Sequence, residues 1–240
     1  MSRPQRGRVP RRAHRALIPL FAIVLAGLFG CSKDDKSPSA LPDAATLLTE
    51  ASTAMRDVTT AHIKIDAQGE LAELPLRRAD GDLTKEGDAK GTIQIEQLGA
   101  LVEYEFVMKG ETIWLKGVTG GWQPLPAALA ASVYDPSAIL DPDRGVSKVL
   151  STASEPQTEA QEEIDGRQTY RVAAKLDATA ASALVPGVGP GVTGKLWFDA
   201  ETKHLRRAVL SVPSTPSGGQ PAVVTIDFTD IGKPVTVSAP

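Results

Sequence analysis

Val102-Glu103-Tyr104-Glu105-Phe106-Val107-Met108 sets the reading of the whole chain. Val102, Tyr104, Phe106 and Met108 recur at every second position with acids at Glu103 and Glu105, the period of a strand with one apolar face. The same alternation stands upstream, where Ile63 and Ile65 are spaced by His62, Lys64 and Asp66, and Ile93 and Ile95 by Thr92, Gln94 and Glu96. Downstream, Ile113 and Leu115 continue it. These segments are half-buried antiparallel strands, with turn chemistry expected at Gly69, Gly81, Gly87, Gly99, Gly110 and Gly120-Gly121. Five or six strands are therefore expected before residue 120.

Strands return after Ser154, at Thr158–Ile164, Gln168–Leu176, Gly194–Asp199, Leu205–Val212 and Val223–Phe228. Their apolar set includes Leu196, Phe198, Val224, Ile226 and Phe228. Helical signals are confined to three places. Asp43 is placed to cap a helix in which Ala44, Leu47, Leu48, Ala51, Ala54, Met55 and Val58 fall with the helical period. Between Pro124 and Leu150, the pairs Asp135-Pro136 and Asp141-Pro142 each suit an N-cap followed by proline at the first helical position, so two or three short helices are expected there. A short helix is expected near Thr179–Leu184. The segment Val185-Pro-Gly-Val-Gly-Pro-Gly-Val192 reads as a flexible loop, either a lid or an inert linker.

About ten antiparallel strands, with helices only at the start and in the middle, describe an α+β architecture. A sheet of that size is expected to be strongly curved, with helices over its concave face. Patterning leaves two outcomes open: a solid core, or an apolar space between sheet and helices. Residues 43–234 form the single expected domain, and 235–240 a loose tail.

The head of the chain is of another kind. Residues 1–15 carry Arg3, Arg6, Arg8, Arg11, Arg12 and Arg15 without an acid, and Ala16–Phe29 is apolar but too short to span a bilayer. That is the order of parts in a signal peptide, here residues 1–30. Removing it leaves 20 basic residues against 29 acidic ones, a formal charge of −9 that disfavours nucleic acid as a partner. Cys31 is the only cysteine, so no internal disulfide can form. Ser32–Pro42 is polar and holds two prolines, a tether that could extend roughly 35 Å.

Catalytic signals are weak. His62 and His204 are the only histidines after the leader, and neither sits at a metal-ligand spacing. No Gly-x-Ser-x-Gly elbow occurs. Glu159, Glu162, Glu163 and Asp165 read as a solvated strand face, and Trp114 and Trp122 as packing residues or sugar platforms. No enzyme activity and no cofactor or metal is expected.

Two resemblances add to this. Leu28-Phe29-Gly30-Cys31 resembles the lipobox of bacterial lipoproteins, which implies a diacylglycerol on Cys31 and anchorage on the outer face of the plasma membrane. Phe29 departs from the small residue usual there. The ordered set Leu41-Pro42-Asp43-Ala44, Ala61-His62, Gly81-Asp82-Leu83-Thr84, Tyr134-Asp135-Pro136 and Pro142-Asp143 with Gly145 resembles the LppX/LprA/LprF/LprG lipoprotein family of mycobacteria. That resemblance implies a half-barrel sheet whose helices enclose an apolar cavity. It also implies a cargo of triacylated glycolipid or triacylglycerol, of the phosphatidylinositol mannoside and lipoarabinomannan type, moved outward with a membrane exporter as partner. On that reading the cavity wall is Ile63, Ile65, Ile93, Ile95, Val102, Tyr104, Phe106, Met108, Leu196, Phe198, Val224, Ile226 and Phe228 from the sheet. Met55, Val58, Tyr134, Ile139 and Leu140 would face them. The alternative function is a solid-cored adaptor lipoprotein that binds an exporter or envelope protein.

Overall fold

The structure, a computed structural model, describes residues 40–69, 75–128, 136–213 and 221–240. Cys31, the leader, most of the tether and Tyr134 lie outside them. Residues 40–240 make one compact unit containing every described strand and helix, so this part carries its own core.

Helix α1 (Ala44–Arg56) begins where Asp43 predicts, its carboxylate accepting from the Thr46 backbone N–H at 2.8 Å and the Thr46 hydroxyl at 2.8 Å. Six strands follow as an up-and-down meander: β1 (Thr60–Gln68), β2 (Leu76–Thr84), β3 (Ala89–Gln97), β4 (Ala100–Lys109), β5 (Thr112–Lys116) and β6 (Gln123–Pro126). A 3-10 turn at Pro136–Ala138 and helix α2 (Val146–Thr152) lead into a second meander: β7 (Ser154–Ile164), β8 (Arg167–Lys175), helix α3 (Ala178–Leu184), β9 (Thr193–Asp199), β10 (Leu205–Val212) and β11 (Ala222–Thr229).

The two meanders join through β1 and β11, the first and last strands, which pair antiparallel with Ile63 opposite Phe228 and Ile65 opposite Ile226. The result is one eleven-stranded sheet in the order β6-β5-β4-β3-β2-β1-β11-β10-β9-β8-β7. Because β6 and β7 are the two edges, the chain between them must cross the sheet from one side to the other. Helix α2 sits on that crossing and packs on α1, where the Ser52 hydroxyl donates to the Ser147 carbonyl at 2.9 Å.

Five local expectations are corrected. Gly81 is no turn: it lies inside β2, directly opposite Gly91 of β3. Pro124, Leu125 and Pro126, expected within the helical middle, belong instead to the edge strand β6, where prolines 124 and 126 are tolerated because one side of the strand has no neighbour. Asp141 caps a turn rather than a helix, accepting from the backbone N–H groups of Asp143 (2.8 Å) and Arg144 (3.0 Å), and α2 starts only after Gly145. The glycine- and proline-rich loop is pinned, since Val185, Val188 and Val192 are all buried in the core. The C-terminal tail is likewise held, with Val237 buried and the Thr236 carbonyl accepting from Lys90 Nζ at 2.9 Å.

Candidate functional site

Strand alternation gives the sheet a charged face and an apolar one. On the charged face, His62 Nδ1 lies 2.8 Å from Asp82 Oδ1 and its Nε2 3.2 Å from Asp80 Oδ1. Arg171 bridges Glu159 (2.8 Å) and Glu162 (2.9 Å), and the Trp197 indole N–H donates to Glu162. Lys64 lies 3.4 Å from Asp80 and Lys90 3.9 Å from Asp82, so cross-strand cations neighbour the carboxylates of this face. No group of three or more His, Cys, Asp or Glu able to hold a metal occurs among the described residues.

The apolar face divides into two regions. Over β8–β11, helices α1, α2 and α3 close down on the sheet, and Leu196, Phe198, Leu205, Val224 and Phe228 are almost wholly buried. The void left there is about 20 Å³, too small to count as more than a packing gap. Over β1–β5 the same face is left as an apolar pocket of about 370 Å³, within the usual range of small-molecule sites.

Side-chain size across the register explains the pocket. One row of the apolar face reads Ile63, Gly81, Gly91, Phe106, Leu115 across five strands, and the rows on either side read Ile65, Ala79, Ile93 and Leu83, Ala89, Met108, Ile113. Strands β2 and β3 thus carry Ala79, Gly81, Ala89 and Gly91 between larger walls. A Cβ on Gly91 would fall 2.1 Å from the Asp80 carbonyl oxygen, and one on Gly81 2.5 Å from that of Lys90. Neither position can accept even alanine without backbone movement, so the floor stays bare. Pro136 and Ile139, from the crossing segment, and Leu125 of β6 complete the lining. From Ile95 to Ala89 the floor spans seven residues of β3, roughly 20 Å.

Of the residues expected at a cavity wall, Ile63, Ile65, Ile93, Ile95, Phe106, Met108 and Ile139 line this pocket. Val102 and Tyr104 share its face, opposite Ile95 and Ile93, but are not among the residues lining it. Met55, Val58, Leu140, Leu196, Phe198, Val224, Ile226 and Phe228 belong to the buried core instead. The 185–192 loop does not border the pocket. Alternation identified the apolar face but missed Ala79, Gly81 and Ala89, because small residues announce a hollow only once the pairing register is known.

An α+β fold built on an eleven-stranded antiparallel sheet is shared with structurally characterised lipoproteins. The chain belongs to the LppX_LprAFG lipoprotein family, whose profile matches residues 43–237. It is 33% identical over 231 residues to the "Lipoarabinomannan carrier protein LprG" of Mycolicibacterium hassiacum, covering 94% of this chain and 97% of that one. It is 32% identical over 238 residues to the protein of the same name in Mycolicibacterium smegmatis, covering 96% and 98%. Among solved structures, LprF from Mycobacterium bovis superposes with a TM-score of 0.71 at 26% identity, covering 83% of this chain and 98% of that one. LppX from Mycobacterium tuberculosis shares the fold, with a TM-score of 0.60 at 21% identity, covering 81% and 97%. The relatives so named are carrier proteins.

Proposed function

We propose that the chain is a membrane-anchored lipid carrier. Acyl chains of a triacylated glycolipid or triacylglycerol lie in the pocket over β1–β5, on the concave side of a half-barrel sheet, and the polar headgroup stays in solvent. The protein receives them at the plasma membrane, to which a lipidated Cys31 ties it, and passes them outward, with a membrane exporter as partner. The observation that carries this reading is the pocket's lining: Ile, Leu, Met and Phe side chains around a floor of glycine and alanine. Each methylene moved from water into such a site gains about 0.8 kcal/mol, so a long chain leaves a bilayer at a useful rate only when an equivalent apolar site receives it. Relatives named for carrying lipoarabinomannan support a glycolipid cargo.

The test is Ile93→Trp, which adds volume where the floor meets the wall. The protein is purified from a lipid-synthesising actinobacterial host and its bound lipid measured by mass spectrometry. The expected outcome is a folded variant carrying several-fold less acyl lipid than the parent. Equal loading of parent and variant, or an empty parent that takes up no offered glycolipid, overturns the reading in favour of a solid-cored adaptor.

A further inference from the structure

The two ends of the sheet differ in chemistry. At one end the connections after β2, β4, β7 and β9 carry Lys85 and Glu86, Glu111, Asp165, and Glu201 with Lys203. At the other, the β3–β4 turn is Leu98-Gly99 and the β5–β6 turn is Gly117-Val118-Thr119-Gly120-Gly121-Trp122, neither with a charge. The β8–β9 connection at this end, residues 176–192, holds one charge, Asp177, and that carboxylate caps α3. By sequence, residues 213–221 add none, and residues 69–75 add Glu70 and Glu73.

The uncharged tips also display apolar side chains that the fold does not use. Leu98 is fully exposed at 108%, Val118 at 85% and Leu101 at 64%. Leu98 further adopts φ +51°, a left-handed conformation that is costly for a bulky residue and that Asn or Gly would take at a two-residue hairpin turn. A leucine that is both strained and wholly solvated stabilises nothing in the free protein. At the β5–β6 turn, Lys116 Nζ sits 5.7 Å from the Trp122 ring centre, pairing an aromatic ring with a cation as at membrane–water interfaces.

We infer that this end of the sheet is a bilayer-docking edge, with Leu98 and Val118 entering a leaflet and Trp122 resting at headgroup level. The neutral tips select a zwitterionic or neutral surface, since a protein of net negative charge gains nothing from anionic headgroups. The pocket lining runs the length of the sheet, from Leu83, Ala89 and Met108 at the charged end to Pro75, Leu76 and Ile95 at this one, so docking brings one end of the pocket close to the leaflet. The docking edge itself stands on the tips and holds whatever fills the pocket.

The experiment uses the 31–240 chain with Cys31→Ser, which removes the anchor and keeps the folding unit. It is mixed with phosphatidylcholine vesicles bearing brominated acyl chains, and co-sedimentation and tryptophan emission are read. The parent is expected to co-sediment and to show a quenched component that Trp122→Phe removes. Leu98→Asp combined with Val118→Asp should lower the bound fraction about tenfold or more. Leu98→Gly should raise the unfolding midpoint by relieving the positive φ while still lowering binding, which separates docking from damage to the fold. Lys85→Asp, at the charged end, should leave binding unchanged. Ile93→Trp should lose lipid loading and keep vesicle binding, so the pocket and the edge fail separately. No vesicle-bound fraction, binding only to anionic vesicles, or binding untouched by the double aspartate variant overturns the inference.

Discussion

Two parts of one sheet meet the same physical demand in opposite ways. Over β8–β11, the inward face carries Leu196, Phe198, Leu205 and Phe228 beneath the helices, and even the bare position at Gly194 is filled by the Leu176 side chain, so Phe198 and Phe228 are 0% and 1% exposed. Over β1–β5, Phe106, Ile93 and Ile95 point to the same side, yet they stay only partly buried around a floor of glycine and alanine. Burial therefore stabilises the first region as an ordinary core. In the second, apolar area is left uncovered, and the gain is available to a ligand instead of to folding. The lesson is that stability and capacity have been assigned to different strands, which lets a hollow persist in a domain without a disulfide.

The largest effect should come from breaking the closed region. Phe198→Ala removes a fully buried ring and is expected to cost about 3–5 kcal/mol, read as a lower urea midpoint with an unchanged slope. Phe106→Ala removes the same ring from the pocket wall, where it is half-buried, and should cost roughly 1–2 kcal/mol. Measured side by side, the two substitutions test the division directly. Equal losses would mean that the β1–β5 region is packed shut in solution, and the contrast between the regions would disappear.

How much of this was legible in the sequence follows from what each signal reports. Period-two alternation at Ile63–Ile65, Ile93–Ile95 and Val102–Met108 identifies strands and their apolar face, because it is a property of one strand alone. The Asp43 cap is equally local. The pocket depends on pairing: Gly81 reads as a turn residue until β2 and β3 are aligned, when it is found opposite Gly91 in mid-sheet. The same limit hid the split between Phe106 and Phe198, since both alternate in the same way and only the placement of the three helices decides which of them is covered. The edge strand β6 was obscured for a different reason, its two prolines being equally at home at the start of a helix.

A smaller difference between the regions lies in how their turns are tied. In the closed region Asp199, only 3% exposed, accepts from the backbone N–H groups of Glu201 (3.0 Å) and Thr202 (2.9 Å) and from Arg167 Nη1 (3.2 Å). Burial pushes its pKa up, but the two backbone donors and the Arg167 charge outweigh this and hold it below the usual carboxylate value. Its counterpart beside the pocket, Asp88, ties the β4–β5 turn through Lys109 (2.8 Å) and the Gly110 N–H (3.1 Å). The Lys109 bond likewise lowers its pKa, but in a more solvated setting. A depressed folded-state pKa means stability that is present above the unfolded-state value and is lost as pH falls through the folded one. Acidification below the ordinary carboxylate range should therefore lower the unfolding midpoint. Asp199→Asn should flatten that acid limb and lower stability at neutral pH by about 1 kcal/mol, whereas Asp88→Asn should change both less. Thermal unfolding across an acid pH series reads all three proteins together. An acid limb as steep in Asp199→Asn as in the parent would remove Asp199 as the group that ties the closed region's turn.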